Sequence, residues 1–321
     1  MKSVMEWLME ESQPAVRYLA MRDLLGFKGK DLTKAKDAVP IRGWVRQIQE
    51  SRMEGGFWVH GDSLYRPKYV STNWMLLILS DLGVTRELPW IAESAEMWRD
   101  RYARPDGGFD EGNSKHSELC LVGNTTRALI KFGYEDDSLV RKALGWLVEN
   151  QKPNGGWHCF YFAKNGVIDG WEGMSAFASY PRQKWTRSIK AAVDRGCEFY
   201  LERGMLKQGR KYDPWYRLHF PYHYYYDLLV GLDFITALGR GDDARLKPAL
   251  ELLRQKRRPD GRWNLDAVHP DYLNDGKFPE WFPKYKHRFK PFSLELAGEP
   301  SKMITLRALS VLKRVGDPLE N

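Results

Sequence analysis

Cysteine is scarce in this chain, and two segments that would assign a compartment are missing. The 321 residues include three cysteines, Cys120, Cys159 and Cys197. No run of about 18 apolar residues is present, so no transmembrane helix is expected. The start, MKSVMEWLMEES, is amphipathic and lacks the basic head and long apolar stretch of a secretory signal. A sparse, odd set of cysteines without such a signal favours reduced thiols, so we expect a cytoplasmic protein.

Nucleic-acid-binding motifs are missing as well, although the net charge is +8. Basic residues cluster in RQKRRPDGRW and FPKYKHRFKPF, without a motif that reads DNA or RNA. An anionic small molecule or an anionic membrane surface fits such a charge equally well. We therefore predict a small-molecule substrate and no nucleic-acid partner, and peripheral membrane contact stays an open alternative.

Aromatic residues, in contrast, are abundant. The chain has 13 Trp, 16 Tyr and 14 Phe. Most of these rings are expected to fill interfaces between helices, where large apolar side chains contribute most to packing. Their number also indicates an aromatic-lined cavity.

A glycine turn recurs along the chain at a nearly constant spacing. It reads MEGGFW, RPDGGFD, KPNGGWH and RPDGRWN, at residues 53–58, 104–110, 152–158 and 258–264. The first glycines of the first three copies are about fifty residues apart, and the last copy follows after about twice that distance. A fixed period of this length indicates stacked supersecondary units.

Each unit contains two helical segments. An amphipathic segment precedes the turn, as in SLVRKALGWLVENQ, and a more apolar segment follows it, often ending in Gly. The apolar, inner segments are predicted near residues 14–25, 71–82, 120–132, 171–179, 223–238 and 301–314. We therefore predict an all-α fold, an α/α toroid of six helical hairpins in a closed ring. It forms a single domain over residues 1–321, with a long irregular insertion around 264–300.

The third copy of the turn carries a family resemblance. In GWLVENQKPNGGW, an aromatic-Leu pair precedes a Gln, and a glycine turn and a Trp follow: Trp146, Leu147, Gln151, Gly155 and Trp157. This pattern resembles the QW repeat of squalene and oxidosqualene cyclases and of protein prenyltransferase β subunits. The chain looks most like a short bacterial or archaeal member of that superfamily. The resemblance implies a toroid with a central pocket for an apolar, isoprenoid-type substrate. The D-x-D-D acid motif of the cyclases is missing, which disfavours a squalene-type cyclase.

Candidate ligand-binding residues lie in the loops before the inner segments and at their first turns. Helix N-termini offer free amides and partial positive charge, which suit a diphosphate or carboxylate. We expect one central cavity that opens at the rim formed by these N-termini and is lined by aromatic rings and polar groups. The predicted substrate-binding residues are Trp58, Tyr69, Asn73, Asn124, Trp171, Tyr222 and His223.

Three residues are candidates for catalysis. Tyr226 and Asp227 open an apolar helix within FPYHYYYDLLVGLD, and Glu172 opens another. A carboxyl group in an apolar cavity has a raised pKa and can serve as a general acid. An Asp in the first turn can instead simply stabilise the helix dipole.

A zinc site is the one cofactor site that the sequence suggests. Glu118 and Cys120 open the third inner segment, and His158 and Cys159 lie in the loop that enters the fourth. Two thiolates, a His and a carboxylate from adjacent units could hold zinc with an open position. No C-x-x-C or H-E-x-x-H spacing supports the site, and burial of the cysteines as small apolar residues is the alternative.

Two other functions remain open. One is a toroid without catalytic activity that binds a lipid or a partner subunit, which the missing cyclase acid favours. The other is a carbohydrate-active enzyme, because six-hairpin α/α barrels also host glycosidases and lyases, and acid pairs such as Asp62 with Asp110 could serve one. A terpene cyclase-like or prenyltransferase-like enzyme is our first prediction.

Overall fold

The structure is a computed structural model that describes residues 2–112, 115–206, 212–268 and 294–318. Within these ranges the chain is helical, with four isolated β-bridges and no strand. Most of the insertion predicted around 264–300 lies outside the described residues, so that boundary and the single-domain assignment stay predictions.

The helices fall into two sets. The inner set is α2 (Pro14–Leu19, continued by a π-helical turn, Ala20–Leu24), α5 (Thr72–Asp81), α7 (Leu119–Phe132), α9 (Glu172–Ser179), α11 (Leu228–Ala237) and α13 (Lys302–Arg314). The other set is α1 (Val4–Leu8), α3 (Gly29–Ala38), α4 (Gly43–Glu50), α6 (Pro89–Tyr102), α8 (Ser138–Glu149), α10 (Arg187–Leu201) and α12 (Lys247–Gln255). All six inner segments predicted from the sequence contain a helix, although the fifth begins at Leu228 and not at residue 223.

The inner helices pack against one another in chain order. Helix α5 contacts α7, α7 contacts α9, α9 contacts α11, and α11 contacts α13. The last inner helix, α13, then contacts α2 and its π-helical turn. Near the end of α5, a Cβ built on Gly83 would lie 3.0 Å from Cδ2 of Leu19, so α2 also approaches α5. The chain therefore has the all-α toroid fold; closure of six hairpins into a complete ring stays a prediction.

Burial explains which helices lie inside. Every residue of α5 is buried, whereas α8 buries one face that includes Val140, Leu144 and Leu147. Full burial of each such side chain contributes about 1.5–3 kcal/mol. The contact between α7 and α9 is especially close, because a Cβ on Gly123 would lie 2.5 Å from Cβ of Glu172. An Ala at this position would force the two helices apart.

The recurring turn has the same geometry in three of its copies. The indole Nε1 atoms of Trp58, Trp157 and Trp263 each donate a 2.8 Å hydrogen bond to a carbonyl oxygen ten residues earlier. These carbonyls lie at or near the end of the preceding helix, where backbone acceptors lack helical partners. The side chain of Gln151 donates to the carbonyls of Gly155 and Ala192, 2.8 Å each. Through Ala192 on α10, the turn that contains Gln151 also joins neighbouring units.

Helix α3 was not predicted from the sequence. Its residues, GKDLTKAKDA, are strongly polar, and Ala35 is its one buried residue. It lacks the apolar stripe by which the other amphipathic segments were recognised. The predicted glycine stops were confirmed: Gly26, Gly83, Gly133, Gly239 and Gly316 all have a positive φ, which glycine adopts without steric cost.

No helix in the described part of the chain is long and apolar enough to cross a membrane.

Candidate functional site

A cavity of about 300 Å³ lies among the inner helices. Residues of α2 with its π-helical turn, α5, α7, α9, α11 and α13 line it, so every inner helix contributes to its wall. No other described cavity has this central position among all the inner helices. It is therefore the candidate ligand site.

The cavity opens at the rim formed by the C-terminal ends of the inner helices. The last residues of α5, α9, α11 and α13 line it: Asp81, Ser179, Ala237 and Arg314. Near this end the lining side chain of Arg314 is 35% exposed. Trp171 and Met303, near the N-terminal ends, are 1% exposed and form a buried floor. The prediction that the cavity opens at the N-terminal rim was wrong.

Seven charged side chains line this cavity, which was expected to be aromatic. Four are basic and three are acidic: Arg22, Lys131, Arg307 and Arg314, with Asp23, Asp81 and Asp233. Apolar side chains complete the wall deeper inside, including those of Val230, Met303 and Leu306. The cavity thus has an apolar floor and a charged wall and mouth.

One buried carboxylate holds three cations at this site. The Oδ1 atom of Asp81 accepts hydrogen bonds from Arg127 at 3.0 Å, from Lys131 at 2.7 Å and from Arg307 at 3.4 Å. Burial alone would raise the pKa of Asp81, but the charges of these cations outweigh it and hold that pKa below its ordinary value. Asp81 is therefore ionised, and its single charge is shared among three cations.

Asp233 on α11 balances the other arginines. Its carboxylate lies 2.7 Å from Nη1 of Arg314 and 3.7 Å from Nε of Arg307. Arg307 also stacks on Tyr222, with its Cζ 3.5 Å from the ring centroid. Two carboxylates, those of Asp81 and Asp233, therefore face four cations around the cavity: Arg127, Lys131, Arg307 and Arg314. This cluster of described residues has two more cations than carboxylates.

Lys131 is the cation of this cluster whose protonation can change. Burial lowers the pKa of Lys131 to about 8, Asp81 opposes that shift, and Arg127 and Arg307 add to it. Its side chain is 29% exposed and lines the cavity. With that pKa, roughly a tenth of this amine is unprotonated at pH 7, far more than of an ordinary lysine.

These charged residues were not predicted as a group from the sequence. In the structure Arg307 pairs with two acids, Asp81 and Asp233. A signal existed for the rest, because Asp81, Arg127 and Lys131 stand inside the most apolar segments of the chain. A charge within a fully buried helix needs a partner, and the partners here come from neighbouring inner helices.

Among the predicted substrate-binding residues, Trp171 lines the cavity. The others contribute to packing. Trp58 is buried and bonded to Ile48, and Asn124 accepts a hydrogen bond from Arg127. Tyr69 and His223 pack together at the opposite rim, with their ring centroids 5.2 Å apart. The ring of Trp74 joins them, with its centroid 5.0 Å from that of His223. Asn73 is buried beside them in α5, and Tyr222 lies under Arg307.

The predicted catalytic pair at the start of α11 has structural partners. Asp227 is the N-cap of α11 and accepts from the amide of Val230 at 2.8 Å. It also accepts from the amide of His219 at 2.9 Å and contacts Nδ1 of the same residue at 2.6 Å. The hydroxyl of Tyr226 donates to the carbonyl of Met205 at 2.5 Å. Neither residue lines the central cavity, where Asp227 was expected, and a catalytic role for either residue stays a prediction.

Glu172 and the two cysteines form a separate cluster. The thiols of Cys120 and Cys159 interact with each other, and this hydrogen bond raises the pKa of Cys120 and lowers that of Cys159. Burial raises the pKa of Glu172 well above its ordinary value, and Cys159 adds to the shift. Among the described residues, no donor reaches Oε2 of Glu172. Burial therefore favours the protonated form of Glu172.

The predicted zinc ligands are only partly brought together. The carboxylate of Glu118 lies 4.0 Å from Sγ of Cys120, but Nδ1 of His158 accepts from the amide of Phe160 at 3.0 Å. Within the described ranges, no group of three or more His, Cys, Asp or Glu residues is arranged to hold a metal ion. Zinc binding stays a prediction, which metal analysis of the purified protein and of the Cys120→Ala Cys159→Ala variant would test.

Comparisons with known proteins assign no family. No family model and no curated protein matches the chain. Among solved structures, the chain is similar to a type II terpene cyclase from Scytonema in complex with merosterolic acid A, at 16% identity and a TM-score of 0.33, covering 97% of each chain. It is also similar to a polysaccharide lyase, at 12% identity and a TM-score of 0.49, covering 94% of this chain and 89% of that one. A possible member of the GH105 family from Salmonella enterica gives 14% identity and a TM-score of 0.49, covering 97% of this chain and 82% of that one. At these values, the function has to be argued from the cavity itself.

Proposed function

We propose that the central cavity binds a small organic anion that has an apolar body. The observation that carries this proposal is the excess of cations around the cavity, with Arg307 held between Asp81 and Asp233. Buried charge without a matching partner is costly, and an anionic ligand would supply the missing partner. The apolar floor, with Val230 and Met303, would receive the rest of the molecule.

Helix dipoles account for part of this positive charge but not for all of it. The C-terminal end of a helix carries partial negative charge, which attracts cations within its last turn. Lys131 and Arg314 lie in the last turns of α7 and α13. Arg307 lies about two turns before the end of α13, beyond the reach of that effect. An anion bound at Arg307 would therefore meet a positive charge that the helix end does not neutralise.

An isoprenoid with a diphosphate or carboxylate head group would meet both requirements. Its chain would occupy the floor and its head group would contact Arg307 and Arg314. This proposal keeps the isoprenoid-type ligand that the sequence resemblance implies, and it moves the head group to the C-terminal rim. It excludes the D-x-D-D acid of the cyclases, because the sequence does not contain that motif.

An acidic saccharide is the second candidate. The observation that favours it is the polar wall, where seven charged side chains could bond hydroxyl and carboxylate groups. The acid pair predicted for this function does not support it, because the Asp62 side chain is fully exposed whereas Asp110 is buried. A saccharide would have to use the cavity residues instead.

Thermal melting with a matched set of ligands distinguishes these candidates. Selective binding to the native state raises the melting temperature with ligand concentration. We expect farnesyl diphosphate to raise it more than either farnesol or inorganic diphosphate does alone. A rise with digalacturonate and none with farnesyl diphosphate would support the saccharide. No rise with any anion would refute the proposal.

Two variants locate the binding. Arg314→Gln should weaken the effect of farnesyl diphosphate, because Arg314 lines the cavity mouth. Arg245→Gln is the matched control, since Arg245 also pairs with two carboxylates, Glu198 and Asp243, but lies away from the cavity. A toroid that binds the ligand without catalysis would show the same shifts in melting temperature. An assay for conversion of the ligand to a product distinguishes such a protein from an enzyme. Membrane contact, a partner subunit and cytoplasmic location stay predictions.

A further inference from the structure

Three cations meet at one oxygen atom in the wall of the central cavity. Oδ1 of Asp81 lies 3.0 Å from Arg127, 2.7 Å from Lys131 and 3.4 Å from Arg307. Arg127 and Asp81 are almost fully buried, with side chains 1% and 2% exposed. Water therefore screens the repulsion among these cations poorly.

Only one of the three cations can relieve that repulsion by losing a proton. A guanidinium group does not deprotonate in proteins, whereas a buried lysine does so readily. Lys131 is thus the group that becomes neutral, and the pKa of about 8 that burial gives it agrees with this argument. A neutral amine has a free electron pair, and this one lines a cavity that other molecules can enter.

A second cation lies close to this amine. Nζ of Lys131 and Nη2 of Arg307 are 2.7 Å and 3.4 Å from the same oxygen, so the two nitrogens are at most about 6 Å apart. Arg307 lines the same cavity and its planar fork suits a carboxylate. A compact molecule with a carbonyl next to a carboxylate could contact both residues at once.

We propose that Lys131 is a nucleophilic amine that forms an imine with a small 2-oxo acid whose carboxylate binds to Arg307. The inference rests on the proposed anion site and names a ligand class for it. The electron pair of Nζ forms a bond to the carbonyl carbon, and the carbonyl π electrons move to oxygen. The resulting carbinolamine loses that oxygen as water, which takes both protons of the amine. Amine and carbonyl thus give imine and water, and no oxidant or reductant is needed.

Reductive trapping tests the proposal on the full chain. Wild-type protein is incubated with pyruvate and cyanoborohydride, and the modified lysines are located by peptide mass spectrometry. We expect the adduct to form at Lys131 many times faster than at exposed lysines such as Lys164 and Lys190, with a rate that rises from neutral pH toward about pH 8. Equal labelling of all these lysines would overturn the proposal.

Matched variants and a matched probe separate this proposal from anion binding alone. Lys131→Arg keeps the positive charge and should abolish the adduct, whereas Lys190→Arg, an exposed change on α10, should leave it intact. Acetone, a ketone with a methyl group in place of the carboxylate of pyruvate, should react with Lys131 far more slowly than pyruvate. Equal rates would overturn the role of Arg307. If diphosphate raises the melting temperature but pyruvate never modifies Lys131, the imine proposal fails and the anion site stands.

Discussion

Nδ1 of His219 lies 2.6 Å from Oδ2 of Asp227, and both residues are buried. The same carboxylate accepts from the amide of His219 and, through its other oxygen, caps helix α11 at Val230. Asp227 therefore fixes the segment before α11 to the start of that helix. Its place at the beginning of an apolar helix has a structural reason, which the sequence analysis weighed against a catalytic one.

Replacing Asp227 should therefore destabilise the protein. In Asp227→Ala, loss of the cap and of the buried partner of His219 should together cost about 2–4 kcal/mol. Asp227→Asn should cost less, because an amide oxygen still caps the helix. Urea unfolding of both variants measures this, with Asp62→Ala, an exposed change, as the control. An Asp227→Ala variant as stable as that control would contradict the structural role.

The turns that join the units make a second stability prediction. Trp157→Phe keeps an aromatic side chain but removes the indole donor to the carbonyl of Leu147, and Gln151→Ala removes donors to two backbone carbonyls. Leaving buried acceptors without a partner costs about 1–3 kcal/mol each. Trp90→Phe, on the half-buried surface of α6, should cost much less. Equal melting temperatures for Trp157→Phe and Trp90→Phe would mean that the indole hydrogen bond does not stabilise the turn.

The charge of Asp81 should matter more than its shape. Asp81→Asn would leave Arg127, Lys131 and Arg307 without their shared carboxylate. Removing one partner of a buried ion pair costs about 3–5 kcal/mol. Adding Lys131→Met to Asp81→Asn should recover part of that loss, because it removes one of the repelling cations. Unfolding free energies of the single and double variants form the test, and a purely additive double variant would count against the shared network.

Glu172 should give the protein a distinct pH dependence. Its folded-state pKa is raised by burial, while the unfolded carboxyl ionises near the ordinary value of about 4.3. As pH rises above that value, the unfolded state loses a proton that the folded state keeps. Stability due to this group therefore falls, by up to about 1.4 kcal/mol per pH unit, until the folded pKa is reached.

Glu172→Gln removes this titration and keeps the shape of the side chain. The variant should be less pH-dependent than wild type between pH 5 and neutrality and more stable than wild type at neutral pH, as urea unfolding at several pH values would measure. Glu149→Gln, on the exposed face of α8, should follow wild type at every pH. Parallel stability curves for wild type and Glu172→Gln would show that Glu172 is ionised in the folded protein.

The fold could be predicted from the sequence because its signals repeat. Six apolar segments and four glycine turns at a near-constant spacing all indicate the same hairpin unit, so an error in one copy changes little. Helix α3 has no such copy and no apolar stripe, and the sequence did not reveal it. Repetition of the pattern, more than any single segment, therefore made the toroid predictable.

The site was less predictable, because periodicity does not tell which side chains fill the centre. Tyr69 and His223 were expected around an open cavity, and they pack against each other and against Trp74 at that rim. The open space lies at the other rim, where Asp81 and Arg307 from distant parts of the chain meet. A pair 226 residues apart in sequence can be inferred only when the order and contacts of the helices are known.

The central claim is that the cavity around Arg307 and Arg314 binds an anion. The most direct test is the melting temperature of wild type and Arg314→Gln as inorganic diphosphate is added at constant ionic strength, with Arg245→Gln as the control. We expect the melting temperature to rise with diphosphate concentration in wild type and in Arg245→Gln, and to rise clearly less in Arg314→Gln. The absence of a rise in wild type, or an equal rise in all three proteins, would contradict it.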